Sequence, residues 1–328
     1  MQSFELLSQK FALHFDQRHF PSEPASLYGP NDYFLKLGGK RIRPVLCLMG
    51  NELFDEIKEE AWYAATAIEL FHNFTLIHDD IMDKAPLRRG MPTVHTKFGE
   101  NTALLAGDVM LVTAYEYLNK ISAAYLQTIL FLFNTTAKQV CEGQQYDMDF
   151  AQRAPSGEKM ETVKFDDYLK MIELKTSVAL AASLKMGAIL GGAGQRNQDL
   201  LYEFGKKLGI AFQVHDDYLD AFGDPDKFGK QPGGDILANK KTFLLIHANE
   251  AASALQRKEL QHHLKNNQPD KVAKVLQLFR DCKADQWALQ LKDQYLDKAF
   301  DHLEDIAVLS KRKEPLKELA HFLVKRDH

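Results

Sequence analysis

The chain predicts an all-α fold, and three observations carry that expectation. Apolar residues recur at three- and four-residue steps along most of the sequence, sustained two-residue alternation of β-branched residues is hard to find, and turn-forming clusters are widely spaced. From the N-terminus, MQSFELLSQKFALHF places Glu5 and Lys10 among its apolar residues and lacks a small-residue cleavage site, so it reads as an amphipathic helix rather than a signal peptide. Breaks are expected where Gly, Pro, Asn and Asp gather: Pro21 to Pro30, Leu37 to Gly39, Ala85 to Pro92, Arg153 to Gly157, Gly191 to Asn197, Gly223 to Gly234 and Asn266 to Asp270. Between them, Glu60 to Lys84, Asn101 to Asn119, Tyr125 to Phe150 and Asp199 to Phe222 are long and rich in Ala, Leu and aromatic residues. Such segments, apolar around most of their circumference, suit the central helices of a bundle. No break is long or biased enough for a linker, so residues 1–328 are expected to form a single domain.

Composition narrows the function. Of 328 residues, 45% are hydrophobic and 26% charged, the balance of an ordinary soluble globular protein. A formal net charge of −4 argues against nucleic acid as the main partner, so any basic site must be local. Cys47, Cys141 and Cys282 are far apart, odd in number and in no metal-like spacing, which predicts buried free thiols in a reducing, cytoplasmic setting. The most apolar stretch, around 176 to 194, holds Lys185 and several glycines, so no membrane crossing is expected.

Two aspartate triplets carry the chemistry. IHDDIMDKAPLRRG at 77 to 90 contains Asp79, Asp80 and Asp83, and FQVHDDYLD at 212 to 220 contains Asp216, Asp217 and Asp220 at the same spacing. On a helix, residues i and i+4 lie about 40° apart around the axis and roughly 6 Å apart along it, so the outer acids share a face and repel. A single triplet would pass as a solvated helix end. Repetition of a costly pattern points instead to a hard divalent cation, since Mg²⁺ takes one or two carboxylates and leaves positions for water and substrate phosphates. FDDYLK at 165 to 170 ends in Lys170 and reads as an ordinary helix start, with its acids where the helix dipole favours them. Neither triplet has the alternating acids and central glycine of a calcium loop.

Basic residues supply the other half. GGKRIRP at 38 to 44 sets Lys40, Arg41 and Arg43 after two glycines that let the backbone approach a phosphate, though its spacing is not that of a P-loop. With Arg88, Arg89, Lys175, Lys230 and Lys240 it suggests two diphosphates held differently, one through metal and one directly by Lys and Arg.

LIHDDIMD followed by RRG, GGKRIRP upstream and FQVHDDYLD downstream resemble the trans-isoprenyl diphosphate synthases of the polyprenyl synthetase family, from about Glu23 in EPASLYGPNDYFLKLGGKRIRP to about Thr242 in FGKQPGGDILANKKT. The resemblance implies an isoprenoid synthase bundle of ten or more helices around a deep central cavity, usually a homodimer, adding isopentenyl diphosphate to an allylic diphosphate (dimethylallyl, geranyl or farnesyl) with three Mg²⁺ per site. Carried onto this sequence, it makes Asp79, Asp83 and Asp216 the principal Mg²⁺ ligands, supported by Asp80, Asp217 and Asp220 directly or through water. Arg88, Lys175, Lys230 and Lys240 then resemble the grip on the allylic diphosphate, and Lys40, Arg43, His72 and Arg89 the metal-free isopentenyl diphosphate site. Thr176 and Gln213 would lie beside the allylic carbon, and Gln144 and Asp147 would face the cavity. His78 and His215 are expected to pack beside the acids, because Mg²⁺ prefers oxygen. Asn239 stands where the family commonly has glycine before the lysine, and asparagine also tolerates positive φ.

Product length should follow from what blocks the apolar tunnel. Phe74 lies five residues before Asp79, or roughly 7.5 Å deeper along a helix, and can serve both as core packing and as a floor. The resemblance makes an aromatic there a sign of a short product, while Thr75 lacks the second aromatic of many fifteen-carbon synthases. Geranylgeranyl diphosphate is therefore expected ahead of farnesyl diphosphate, with the 109–117 segment as another possible floor. A class I terpene cyclase would carry a mixed Asn, Ser or Thr and Glu second motif and leave GGKRIRP idle. A non-catalytic prenyltransferase subunit would not need all six aspartates.

Overall fold

The computed structural model describes residues 1–152, 163–224, 233–266 and 268–325. Their regular structure is helical apart from one hairpin, and they fall into two compact units. Met1–Phe133, Ala182–Asp199 and Ala307–Pro315 make the first; Asn134–Ala181, Leu200–Ile306 and the chain from Leu316 make the second.

In the first unit, Ser3 caps α1 (Phe4–Phe15) by accepting from the Leu6 amide at 3.3 Å, and the helix buries Leu7, Phe11 and Phe15 as its pattern predicts. The expected break from Pro21 to Pro30 is shorter than the sequence suggests. Helix α2 (Ala25–Lys36) starts directly after Pro24 and carries Pro30 inside it. Proline there forfeits a backbone hydrogen bond, and the burial of its ring offsets part of that loss. Helix α3 (Ile42–Glu52) packs on α4 (Glu59–Met82), which matches the predicted 60–84 segment and is buried over most of its circumference. Alanines 61, 64, 65 and 67 let neighbouring helices come close to α4. The expected break at 85 to 92 contains a hairpin that the sequence reading did not anticipate, β1 (Leu87–Arg88) paired antiparallel with β2 (Met91–Pro92). Arg89 and Gly90 turn it with φ of 53° and 76°, the left-handed pair that a two-residue hairpin loop demands. Short α5 (Val94–Phe98) leads into α6 (Glu100–Leu118), which lies along α4.

Helices α7 (Ala123–Gln152), α9 (Val178–Leu190) and α10 (Gln195–Phe222) contribute residues to both units. Within the first, α9 meets α3 backbone to backbone. A Cβ on Gly187 would fall inside the shell of the Cys47 carbonyl oxygen, and one on Gly191 would lie 2.7 Å from that of Asn51. Lys185, the residue that interrupts the most apolar stretch, pairs with Asp199 at 2.6 Å, and no helix among the described residues is long and apolar enough to cross a membrane.

The second unit packs α8 (Phe165–Ile172), α10, α12 (Phe243–Ala251), α14 (Lys271–Asp281) and α15 (Ala284–Glu304) around Tyr168, Phe243, Leu244 and Phe279. Between these lie α11 (Gly234–Leu237) and α13 (Ala254–Lys265), and α16 (Ser310–Lys325) ends the described chain. Asp166 and Asp167 occupy the first turn of α8, as expected for a helix start. Burial of Phe243 alone stabilises the unit by about 2–3 kcal/mol. The thiols differ from expectation at one position: Cys47 and Cys282 are buried, but Cys141 lies on an exposed face of α7. Gly187→Ala should cost about 3 kcal/mol, because backbone atoms rather than a flexible side chain must give way. A urea midpoint equal to that of the parent protein would contradict this close approach.

Candidate active site

The first triplet stands at the wrong end of its helix. Asp79 and Asp80 belong to the last turn of α4 and Asp83 is its C-cap, so three carboxylates meet the negative pole of the helix dipole as well as one another. The chain compensates immediately. Lys84 turns left-handed at φ 51°, and the amides of Lys84 and Ala85 bond the carbonyls of Ile81 (3.2 Å) and Asp80 (3.0 Å), ending the helix and sending the chain into the hairpin. From β1, Arg88 returns to the acids. Its Nε donates to both Asp80 oxygens at 2.9 Å and its Nη2 lies 2.8 Å from Oδ1, while Asp79 is 3.6 Å away. Burial pushes the Asp80 carboxyl up from its ordinary pKa, and the Arg88 hydrogen bonds oppose that shift. Asp79 is half-buried and Asp83 exposed, whereas Asp80 is sealed.

Next to this lies the cationic set. Arg43 donates from Nη1 to His72 Nε2 at 3.2 Å, so the ring accepts at Nε2 and carries its proton on Nδ1. Burial, with Arg43, Arg89, Arg88 and Arg41 close by, holds His72 well below its usual pKa and leaves the ring neutral. Burial also brings Arg43 down to about 10, still fully charged at neutral pH. Arg89, on the hairpin turn, lies against Gly39, where a Cβ would come within 3.0 Å of its guanidinium. Thus GGKRIRP and RRG, far apart in sequence, share one locality, with Lys40 exposed beside it. Arg41 plays a different part: left-handed at φ 51°, it pairs with buried Glu69, donates to the Leu35 carbonyl and lies over Phe15. Glu69 in turn accepts from Asn73 Nδ2 at 2.7 Å.

In the second unit, Asp217 is buried on α10 and surrounded by donors. Gln213 Nε2 donates at 2.9 Å, the Tyr168 hydroxyl at 3.1 Å and the Phe243 amide at 3.3 Å. Burial raises Asp217 to about 8, against the pull of the Gln213 hydrogen bond and with Asp235 and Asp216 adding to the rise. Asp216 is half-buried, and Asp220 accepts from the Asp235 amide at 2.9 Å. Thr176 and Gln213 come together, with Oγ1 3.5 Å from Oε1. Lys175 and Thr176 lie in a π-helical turn, Glu173–Ser177, and Lys175 Nζ pairs with Asp147 at 2.6 Å. Two glycines admit that wider turn: a Cβ on Gly143 would strike the Lys175 amide, and one on Gly209 would lie 2.7 Å from Ser177 Cα. Lys240 pairs with Asp235 at 3.4 Å. Lys230 lies outside the described residues.

Among the described residues no three His, Cys, Asp or Glu side chains form a closed metal cage. The donor set still fits Mg²⁺, whose octahedron is completed by water and substrate phosphates around one or two carboxylates. By exposure, Asp79 and Asp83 in the first triplet and Asp216 in the second are more accessible oxygen donors than the buried Asp80 and Asp217.

Phe74 is half-buried on α4 in T-shaped contact with His78 (4.7 Å) and close to Phe71 (5.9 Å), and Phe71, Phe133 and Tyr115 continue the aromatic wall at 5.2 Å each. The residue one turn beneath Asp79 on its own stripe is Thr75, whose hydroxyl donates to the His72 carbonyl at 2.8 Å. His78 packs on α6, its Nε2 donating to the Leu104 carbonyl at 3.1 Å and occupying the space left by Gly107. Sequence reasoning missed Glu69, Tyr168, Asp235, Gly143 and Gly209. Glu69 alone had a visible signal, an acid inside an otherwise apolar helix.

The polyprenyl synthetase family model matches residues 24–282. The geranylgeranyl pyrophosphate synthase of Geoglobus acetivorans is 40% identical over 93% of this chain and 92% of its own, and the short chain isoprenyl diphosphate synthase of Methanothermobacter thermautotrophicus is 36% identical over 93% and 92%. A crystal structure of a geranylgeranyl pyrophosphate synthase superposes with a TM-score of 0.92 at 40% identity, covering 99% of both chains. Aspartate triplets, paired basic motifs, helical fold and full-length similarity agree: the chain belongs to the polyprenyl synthetase family of prenyl-transferring enzymes.

Proposed function

We propose that this enzyme makes geranylgeranyl diphosphate by adding isopentenyl diphosphate to an allylic diphosphate, with farnesyl diphosphate as the last acceptor. The observation that carries the reading is the pairing of sealed Asp80 with Arg88, which fixes a guanidinium beside two more accessible carboxylates. Asp79, Asp83 and Asp216 hold Mg²⁺, with Asp220 in support, and bound Mg²⁺ supplies Lewis-acid stabilisation of the leaving diphosphate. Asp80 and Asp217 act as positioning groups, since their hydrogen bonds commit them to Arg88 and to Gln213. Arg88, Lys175, Lys230 and Lys240 grip the allylic diphosphate, while Lys40, Arg43, neutral His72 and Arg89 hold isopentenyl diphosphate without metal.

The allylic C1–O bond breaks with its electron pair leaving on diphosphate, and the cationic side chains stabilise that charge as it develops. The isopentenyl alkene then forms the new C–C bond at C1, and a proton leaves C2 for the released diphosphate. Thr176 and Gln213 present oxygens to the transient positive charge. The aromatic wall of Phe71, Phe74, Phe133 and Tyr115 limits growth, in keeping with the name of the Geoglobus acetivorans relative. Exposed Leu104, Leu105 and Val112 on α6 and Phe131 on α7 support a homodimer of the whole 328-residue catalytic domain.

Purified protein with Mg²⁺, isopentenyl diphosphate and farnesyl diphosphate should yield a twenty-carbon product by chromatography, and absence of any elongated product would sink the reading. Phe74→Ala should shift the products to longer chains; an unchanged distribution removes Phe74 from the wall. Light scattering should give twice the 37.3 kDa chain mass, and a value at that mass would refute the dimer.

A further inference from the structure

We infer that Lys271, a lysine outside every motif described above, positions Lys240 by holding Asn239 in the left-handed conformation. The inference rests on the reading of Lys240 as a diphosphate grip. Lys271 begins α14 and is 1% exposed, an unusual place for an ammonium group, which must find polar partners to be tolerated there. One of them is Asn239, whose Oδ1 accepts from Lys271 Nζ at 2.9 Å.

Asn239 has φ 55° and closes α11 in the manner usually reserved for glycine. Its amide bonds the Ile236 carbonyl at 3.2 Å, and the amide of Lys240 bonds the Asp235 carbonyl at 2.9 Å. The direction in which Lys240 leaves the helix is therefore set by a single left-handed residue. Lys241 depends on the same residue, since its Nζ donates to the Asn239 carbonyl at 3.3 Å. At the other end of α11, Gly233 is left-handed and so close to Val272 that a Cβ would overlap Val272 Cγ1. Residues 271 and 272 thus clamp both ends of the short helix that carries Asp235, whose amide bonds Asp220 and whose carboxylate pairs with Lys240. Glycine needs no such help, because it adopts positive φ without steric cost. Asparagine with a pinned side chain reaches the same geometry, and Lys271 does the pinning.

Steady-state kinetics on variants of Lys240, Lys271 and Asn239 test this. Lys240→Gln should raise KM for farnesyl diphosphate, and if it does not, the grip reading falls and this inference with it. Lys271→Met should raise the same KM about tenfold, the size of a left-handed penalty, while KM for isopentenyl diphosphate stays unchanged. In combination with Asn239→Gly, the Lys271→Met effect should shrink to less than about threefold, because glycine holds the turn unaided. An equal Lys271→Met effect in both backgrounds, or one that moves both KM values alike, overturns the inference while leaving the grip intact. Should Lys271→Met fail to fold by circular dichroism, Asn239→Ala and Asn239→Gly decide: alanine should raise KM for farnesyl diphosphate and glycine should not, and equal values overturn the inference.

Discussion

Asp80 lies sealed inside the last turn of α4 and takes its hydrogen bonds from one guanidinium, that of Arg88. Around that pair the electrostatics of the first unit are arranged. Three carboxylates at a helix C-terminus oppose the dipole and each other, so a cation close at hand stabilises the end of α4. The left-handed turn at Lys84 and the hairpin turn at Arg89 and Gly90 bring that cation back within a few residues. Removing either partner would leave a charge stranded in a poorly solvated place, so the acid and the base hold each other in position.

The second triplet solves the same problem without a guanidinium. Asp217 is raised to about 8 by burial and surrounded by Gln213, Tyr168 and the Phe243 amide. In both triplets the middle acid is buried and hydrogen-bonded, and the outer acids are more accessible. The DDxxD spacing gives that division in both places: two acids one turn apart lie nearer the surface, and the adjacent acid turns inward to a donor.

Much of this was legible in the residues themselves. The long helices followed from apolar periodicity, and the grouping of Arg43, His72 and Arg89 followed from motif resemblance, with Gly39 giving the closeness its physical reason. The left-handed Asn239 was also foreseeable from its position before the lysine. What escaped was chemistry that depends on tertiary neighbours. Pro30 sits inside a helix because burial of its ring compensates a lost hydrogen bond, and nothing in GPND announces that. The π turn at Glu173–Ser177 needs Gly143 and Gly209, each distant in sequence. Axial distance alone puts Phe74 deeper than Asp79, and helical rotation puts Thr75 on the Asp79 stripe and Phe74 beside His78.

The central claim is that one diphosphate is held through carboxylate-bound metal and the other by cationic side chains alone. Calorimetric titration with Mg²⁺ and with EDTA tests it directly, using isopentenyl diphosphate in one series and a non-hydrolysable thio analogue of farnesyl diphosphate in the other. The account predicts that isopentenyl diphosphate affinity changes by less than about threefold on chelation, while the analogue weakens by about a hundredfold or more, close to 3 kcal/mol. Equal loss of both affinities on removal of Mg²⁺ would contradict it.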